Sequence, residues 1–364
     1  MRSLLILLLF PVSAAAQLMP TLLATLGEEV NETSGMIMVG GTLWSHPDSN
    51  NPARLYQVDP QTGATLRSVA VNATNVDWED MTTDGSYAYL GDIGNNSGSR
   101  TDLRIYRFPI GLLMDTSVTA IDVDTISYAY SDQVDFTSAM QTNPWDCEAM
   151  IARNDTLYLF TKDWVDQHTR VYALPAEPGI HQAVFKEEHD IQGLITGASH
   201  EPVTDQVILI GYTPGLYVPF ICKLSGFEGS LFFSGEVVRT ALSLSFIQME
   251  AVAWNGPAEI LISNEQSPFS DPRLWSIAIV NAVDETRGDQ GIRIYPNPTG
   301  DRLKIEGIGN RATVILYDAA GREVERSGIT HEHSIEVGRL SEGIYQLLIE
   351  GSDLRISRNV VVQR

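Results

Sequence analysis

Glu148-Ala149-Met150, followed by Leu157-Tyr158-Leu159-Phe160 and Val171-Tyr172-Ala173-Leu174, is the stretch that decides the fold of this chain. A polar residue opens a short apolar strand, and two further apolar strands with aromatic residues follow it. Related patterns begin at five places before residue 284. The opening residues are spaced 45, 69, 48 and 54 positions apart and are Ser34, Glu79, Glu148, Thr196 and Glu250.

A period near fifty residues, built from three or four strands, is typical of a β-propeller. In four of the five copies a fourth strand follows, for example at residues 65–71 and 236–241. The fifth copy has none, and a strand predicted at residues 21–26 could complete it and close the ring. We therefore expect an all-β chain whose body is a propeller of five blades, or six if the 69-residue interval holds a degenerate blade. A β-sandwich with long insertions is the alternative that the repeat argues against.

The opening residue of each repeat should lie on the strand nearest the propeller axis, so its side chain should line the central channel. Carboxylates that converge there repel one another and need a cation, shared protons or wide separation. Hard oxygen ligands suit calcium or magnesium, and we predict Glu79, Glu148 and Glu250 as ligands of a metal ion, calcium above all. The other side chains expected along the channel are Ser34, His46, Asp77, Asp80, Asp92, Asp146, Thr196 and Glu265. Alternatively, such polar residues bond to the backbone of the next blade and hold no ligand.

Motifs of nucleophilic or zinc-dependent catalysis are absent from the sequence: it has no Gly-x-Ser-x-Gly elbow and no His-Glu-x-x-His helix. His46, at the end of a predicted strand, is the one histidine that could act as a general base at the channel mouth. Two functions stay open. The first is a binding module for a glycan, peptide or small molecule. The second is a metal-dependent hydrolase of phosphate esters, esters or lactones that uses the three glutamates as ligands.

Charge is distributed unevenly along the chain. The chain has 24 basic and 46 acidic residues, a net charge of −22. Residues 292–364 contain ten of each kind, so the first 291 residues carry the whole excess. An acidic body of this kind disfavours nucleic acids and anionic membrane surfaces as partners.

The N-terminus has the features of a secretory signal peptide. Arg2 precedes the apolar residues 4–10, and Ala14-Ala15-Ala16 offers a cleavage site, so we assign the signal peptide to residues 1–16. No later stretch is apolar and long enough for a transmembrane helix in the mature protein. The predicted organisation is then a propeller at 17–283, a linker at 284–291 and a C-terminal domain at 292–364. Cys147 and Cys222 should be two separate buried thiols.

The C-terminal segment predicts a small β-sandwich. Apolar residues alternate at Leu303 and Ile305 and again at Val314 and Leu316, as in half-buried strands, and residues 318–321 suggest a hairpin turn. Its most specific stretches are Tyr295-Pro296-Asn297-Pro298 and Gly343-Ile344-Tyr345. In order and spacing the segment resembles the type A C-terminal sorting domain of the type IX secretion system. The resemblance implies an Ig-like sandwich, the type IX machinery as a partner, and a protein that is secreted or attached to the outer cell surface.

A weaker resemblance concerns the body. Asn75-Val76-Asp77-Trp78-Glu79-Asp80 together with Gly91-Asp92-Ile93-Gly94-Asn95-Asn96 is similar to secreted bacterial β-propellers, among them esterase-like and phytase-like families. Phytase-like propellers hold phosphate with calcium ions and basic residues. The body of this chain is poor in lysine and arginine, so it departs from that pattern where phosphate would bind.

Overall fold

The computed structural model describes residues 18–279, 293–306, 312–318, 323–329, 333–351 and 354–363. The predicted signal peptide at 1–16 and the predicted linker at 284–291 lie outside the described residues. The chain divides into two compact units, one ending at Ile279 and the other beginning at Val280. Among the described residues no helix has the length and apolar character that a membrane crossing requires.

The first unit is a ring of five blades, each a sheet of four antiparallel strands. Short, nearly continuous apolar segments with turn residues between them form the inner strands, because each sheet buries both faces against its neighbours. The strands are β1 (Thr21–Thr25), β2 (Thr33–Val39), β3 (Thr42–Pro47), β4 (Arg54–Val58), β5 (Thr65–Val71), β6 (Trp78–Thr83), β7 (Tyr87–Asp92), β8 (Arg104–Pro109), β9 (Ala120–Ile121), β10 (Asp124–Tyr130), β11 (Cys147–Arg153), β12 (Thr156–Thr161), β13 (His168–Pro175), β14 (Gly179–Asp190), β15 (Leu194–Glu201), β16 (Gln206–Thr213), β17 (Val218–Ser225), β18 (Glu236–Ala241), β19 (Met249–Trp254), β20 (Glu259–Asn264) and β21 (Arg273–Ala278).

Five inner strands surround the axis: β2, β6, β11, β15 and β19. Blade I consists of β2–β5, blade II of β6, β7, β8 and β10, blade III of β11–β14, and blade IV of β15–β18. Blade V consists of β19–β21 and the N-terminal strand β1, which pairs antiparallel with β21. The predicted five-bladed propeller is therefore confirmed, and so is its closure by the N-terminal strand.

The long interval between the first residues of blades II and III contains no sixth blade within the described residues 18–279. It holds a four-residue helix, α1 (Gly111–Met114), and the short strand β9, which pairs in parallel with β5 of blade I. It also holds β10, which pairs in parallel with the first half of β14 and so joins blades II and III at their outer edges.

Apolar side chains fill the gaps between neighbouring blades. At the closure of the ring, Met36 and Leu43 of blade I pack with Ala251 and Leu274 of blade V. Leu43 and Leu274 are fully buried, and burial of such a side chain stabilises the fold by about 1.5–3 kcal/mol. Hydrophobic packing, repeated at each interface, thus holds the two ends of the ring together. The two cysteines are free and buried, as predicted.

One carboxylate joins three blades at the axis. Asp80 of β6 accepts hydrogen bonds from the backbone N–H of Met81, of Met150 in β11 and of Ala198 in β15, at 2.8, 2.8 and 3.3 Å. Burial raises the pKa of Asp80 well above its ordinary value, and the three N–H donors oppose that shift. The Asp80 side chain is fully buried, so water cannot take the place of its carboxylate as the acceptor for these three N–H groups.

The second unit is a sandwich of two antiparallel sheets, as predicted for the tail. Leu303, Ile305, Val314 and Leu316 are buried between the sheets. The turn predicted at residues 318–321 lies mostly outside the described residues. One sheet has the order β22-β23-β26 and the other β25-β24-β27-β28, with β22 (Arg293–Tyr295), β23 (Arg302–Glu306), β24 (Ala312–Tyr317), β25 (Glu323–Ile329), β26 (His333–Glu336), β27 (Gly343–Gly351) and β28 (Leu354–Val362).

Asp80→Asn should destabilise the propeller by about 1–3 kcal/mol, because the amide nitrogen cannot accept a bond and at least one buried N–H loses its acceptor. Urea unfolding followed by tryptophan fluorescence measures the change. Glu28→Gln makes the same change of charge at an exposed position and should leave the transition where it is. An unchanged unfolding midpoint for Asp80→Asn would show that the hydrogen bonds of the three-blade junction contribute nothing to the stability of the propeller.

Candidate functional site

A β-bulge interrupts the pairing near the start of every inner strand. In β6 the pairing passes from Trp78 opposite Asp92 to Asp80 opposite Gly91, which leaves Glu79 without a residue across from it. A bulge of this kind turns a side chain away from the regular alternation. The residue skipped in the five inner strands is in each case the first residue of the sequence repeat: Ser34, Glu79, Glu148, Thr196 and Glu250.

Four of the five bulged residues line a cavity of about 260 Å³ at the end of the propeller where the inner strands begin. All three glutamates that we predicted as metal ligands line it, together with Ser34 and Glu265. The lining contains six carboxylates and a single basic side chain: its residues are Glu32, Thr33, Ser34, Asp48, Glu79, Asn96, Gln141, Glu148, Lys162, Trp164, Tyr212, Tyr217, Gln248, Glu250 and Glu265.

The two hydroxyl residues among the bulged positions bond to the next blade. Ser34 Oγ donates to the backbone oxygen of Glu79 at 2.8 Å, and Thr196 Oγ1 donates to that of Met249. Thr196 does not line the cavity. The predicted bonding to the backbone of the next blade is therefore seen at these two positions, whereas the side chains of the three glutamates line the cavity.

Lys162 forms a buried ion pair with Glu148. Its Nζ lies 2.7 and 2.6 Å from the two carboxylate oxygens, and each side chain is about 6% exposed. Burial raises the pKa of Glu148, and the nearby ammonium opposes that shift. The ammonium also lies 4.8 Å from the centre of the Trp164 ring. Glu148 thus already has a cation, which leaves it less available to a metal than Glu79 or Glu250.

Three other carboxylates lie together without a cation. One oxygen each of Asp48, Asp77 and Glu79 lies within 4.8 Å of the others, and none of the three forms an ion pair within residues 18–279. Burial, followed by the charge of Asp48, raises the pKa of Asp77 to about 7, and burial with nearby acids raises that of Glu79 well above its ordinary value. The carboxylates approach so closely over Gly94 that a Cβ there would clash with both Asp77 and Glu79.

Glu250 and Glu265 form a further acidic pair in the wall of the cavity. Burial is the main cause that raises their pKa values, to about 8 and about 7. Gln248 donates to Glu250 Oε1 at 3.2 Å. The carboxylate of Glu265 has no hydrogen-bond or ion-pair partner in the described part of the propeller. At neutral pH both groups lie close to their titration points, so either can take up or release a proton.

The remaining predicted channel residues lie outside the cavity lining and have structural partners, with Asp80 at the three-blade junction. Arg100 Nη2 donates to Asp92 at 2.8 Å, and Asp146 accepts bonds from the backbone N–H of Asn95 and from Trp164 Nε1, both at 2.8 Å. Asp77 does not line the cavity either, but its carboxylate lies beside those of Asp48 and Glu79.

His46 does not reach the cavity. Its side chain is fully buried, packs edge-to-face against Trp78 at 5.8 Å, and its Nε2 has no hydrogen-bond partner. Burial lowers the pKa of His46 to about 4, so the ring is neutral near pH 7. The imidazole occupies the space above Gly35, where a Cβ would clash with it. His46 therefore cannot act as a general base on a ligand in the cavity.

Several cavity residues were not predicted as site residues: Asp48, Lys162, Trp164, Tyr212 and Tyr217 among them. They share one signal, because each lies in, or within two residues of, the loop that joins the second and third strands of a blade. In a propeller the start of the inner strand and the end of the second strand meet at the same edge. The position of a residue relative to that strand end could have identified them.

Comparison with protein families identifies the tail. Residues 293–363 match the model of the secretion system C-terminal sorting domain. This confirms the predicted type IX sorting domain, and with it export of the protein to the cell surface or the surroundings. The domain also implies that the chain interacts with the type IX secretion machinery.

A search of the curated proteins finds no sequence that matches this chain. Among solved structures, the PQQ-bound aldose sugar dehydrogenase of Streptomyces coelicolor is 12% identical, with a TM-score of 0.40, over 71% of this chain and 97% of that one. PorZ, a surface component of the type IX secretion system of Porphyromonas gingivalis, is 14% identical with a TM-score of 0.34, and the match spans 91% of this chain but 45% of PorZ. The exo-β-1,3-galactanase of Phanerochaete chrysosporium is 10% identical with a TM-score of 0.44, over 96% of this chain and 100% of that one. Similarity at this level says nothing about what this chain binds.

Lys162→Met should destabilise the propeller by about 3–5 kcal/mol at pH 8, because it leaves Glu148 buried without its cation. The loss should shrink at pH 5, where Glu148 can be protonated instead. Thermal unfolding of the variant at both pH values measures this. The double variant Lys162→Met with Glu148→Gln removes the negative charge of Glu148 as well as the ammonium group of Lys162. It should therefore recover most of the stability. A single variant as stable as wild type at pH 8 would contradict this role of the ion pair.

Proposed function

We propose that this chain is a ligand-binding propeller of the cell surface or the surrounding medium, and that its axial cavity binds a calcium ion through Asp48, Asp77 and Glu79. The observation that carries the proposal is the grouping of these three carboxylates within 4.8 Å, with no basic side chain in ion-pair contact with them among residues 18–279. Their mutual repulsion in a buried setting is unfavourable unless a cation or protons offset it.

The charges around the cavity support a cation rather than an anion as the occupant. Six carboxylates line the cavity, and Asp77 lies beside them, against the one ammonium group of Lys162. Since Lys162 is paired with Glu148, the other carboxylates have no basic partner among the lining residues. A phosphate or carboxylate ligand would meet net repulsion there unless a bound metal ion offset it.

The donor set favours calcium over zinc. The three grouped side chains offer only oxygen, and calcium takes six to eight oxygen ligands at about 2.3–2.6 Å in flexible geometry. Zinc sites instead draw on histidine nitrogen and cysteine sulfur. His46 is sequestered in the core, and both cysteines are buried in the blades, so neither can contribute. Water or an oxygen of the ligand would complete the coordination.

The size of the cavity limits what else it holds. About 260 Å³ accommodates an ion with several waters, or an ion with one ring-sized group of a larger ligand, since a protein cavity of about 150 Å³ is enough to bind benzene. A glycan, a peptide or a small molecule would therefore place one residue-sized group in the cavity. The rest of the ligand would lie on the surrounding loops.

Calcium should bind the full secreted chain with one-to-one stoichiometry in isothermal titration calorimetry and raise its melting temperature. At free calcium 100 times the dissociation constant, the stabilisation should be about 2.7 kcal/mol. Asp77→Asn should weaken binding at least about tenfold, or about 1.4 kcal/mol. Asp166→Asn alters a separate, exposed group with His168 and Glu188 and should leave calcium binding intact. The metal assignment fails if wild type binds no calcium or if Asp77→Asn binds it equally well.

A metal-dependent hydrolase is the second candidate, and the pKa of Glu250 favours it. A carboxyl group with a pKa of about 8 is protonated near neutrality and can serve as a general acid beside a metal ion. Its substrates would be phosphate esters, carboxylic esters or lactones.

Activity of this kind should appear in assays with p-nitrophenyl phosphates, p-nitrophenyl esters and lactones in the presence of calcium. Turnover should fall as the pH rises through 8, where Glu250 loses its proton, and Glu250→Gln should reduce it by about 10²-fold or more. Absence of calcium-dependent turnover on all three substrate classes would count against catalysis and leave the binding role in place.

A further inference from the structure

Two segments of the propeller each carry an exposed aromatic ring and, four residues away, an acid of the cavity. Phe246 and Glu250 belong to the segment that enters β19, and Glu265 and Phe269 belong to the loop that follows β20. Phe246 is 48% exposed and Phe269 is 80% exposed, and their ring centres lie 5.9 Å apart. The acids therefore lie at the cavity while the rings lie in solvent beside it.

The neighbouring loop of blade IV extends this apolar surface. The backbone N–H of Phe246 donates to the oxygen of Leu216 at 2.9 Å, and Leu216 is 61% exposed. The next residue, Tyr217, lines the cavity, and its ring centre lies 5.2 Å from that of Tyr212 in the cavity wall. We call Leu216, Tyr217, Phe246 and Phe269 the apolar patch. It borders the acidic cavity directly.

The acids next to the patch lack a basic partner. Glu250 is 9% exposed and receives one hydrogen bond, from the neutral amide of Gln248. Glu265 has no side-chain partner within residues 18–279. A buried carboxylate with so few partners favours a positively charged group in the cavity. The Tyr217 ring beside it would also attract an ammonium or guanidinium group through its face, whereas the Tyr212 ring already has the Lys162 ammonium 5.4 Å from its centre.

We propose that the apolar patch and the Glu250–Glu265 pair dock a protein segment in which a lysine or arginine is flanked by large apolar side chains. The cation enters the cavity and the apolar neighbours cover Phe246 and Phe269. This docking proposal rests on the proposed binding role of the cavity. It does not rest on the metal ion, since the docking carboxylates differ from those proposed to bind calcium. The net charge of −22 favours a basic protein segment over an anionic lipid surface as the occupant.

A blocked tripeptide with lysine between two phenylalanines is a suitable probe, and the same peptide with uncharged norleucine at the centre is its matched control. The lysine peptide should bind the full chain at least about tenfold more tightly in calorimetry, and salt should weaken it. Glu265→Gln should remove most of this preference. Phe269→Ser should weaken both peptides about equally. Val203→Ser, at an exposed apolar position between β15 and β16, should change neither.

Equal binding of the two peptides, or no binding of either by a chain that binds calcium, would overturn the docking site and leave the metal proposal standing. If the chain bound neither of the peptides nor calcium, the proposed binding function as a whole would be rejected. Vesicles of phosphatidylethanolamine and phosphatidylglycerol supply the remaining test. Phe269-dependent binding to vesicles, without discrimination between the peptides, would assign the patch to a membrane and overturn the proposed protein partner.

Discussion

The β-bulge that opens every inner strand is the constraint on which the site depends. A regular strand would send alternate side chains into the two blade interfaces, where apolar residues pack. The bulge takes one residue per blade out of that alternation, and the ring symmetry of the propeller gathers these residues around one axis. Glu79, Glu148 and Glu250 meet there although 69 and 102 positions separate them in sequence. The acidic cavity is thus a consequence of backbone geometry repeated around a ring.

Crowding carboxylates at the axis has an energetic cost, and the structure offsets it in two different ways. Asp80 receives three backbone N–H groups from three blades. Glu148 receives a buried ammonium group. Asp48 receives only the backbone N–H of its neighbour Ser49, Asp77 and Glu79 receive neither a backbone N–H nor an ammonium group, and burial raises the pKa values of all three. This difference is the reason why we propose the binding site at this part of the axis.

Much of the architecture could be predicted from the sequence, because each blade repeats the same succession of apolar strands and turns. The spacing of the opening residues led to five blades, to the N-terminal closing strand and to the three glutamates of the cavity. The roles of individual side chains could not be predicted in the same way. Lys162 pairs with Glu148 fourteen residues earlier only because the turn between β11 and β12 brings both to one edge.

His46 shows why local position is an insufficient guide. It lies at a strand end close to the axis, as Asp48 does, and a role at the channel mouth followed from that position alone. Because of the bulge at Ser34, His46 pairs with Gly35. Gly35 has no side chain, and the imidazole of His46 fills the space that this leaves. Two residues later, Asp48 reaches the cavity instead. His46 lies within the paired part of β3 and is buried, whereas Asp48 lies just beyond the end of that strand and lines the cavity.

The central claim is that Glu79, a bulged residue, forms a cation site at the axis together with Asp48 and Asp77. A crystal structure of the protein, from crystals grown in the presence of calcium, tests it most directly. The account predicts a calcium ion between Asp48, Asp77 and Glu79, with an anomalous signal and calcium–oxygen distances of about 2.3–2.6 Å. The Lys162–Glu148 pair should remain as it is. An empty site at saturating calcium, with these three carboxylates turned apart or paired with basic side chains, would contradict the account.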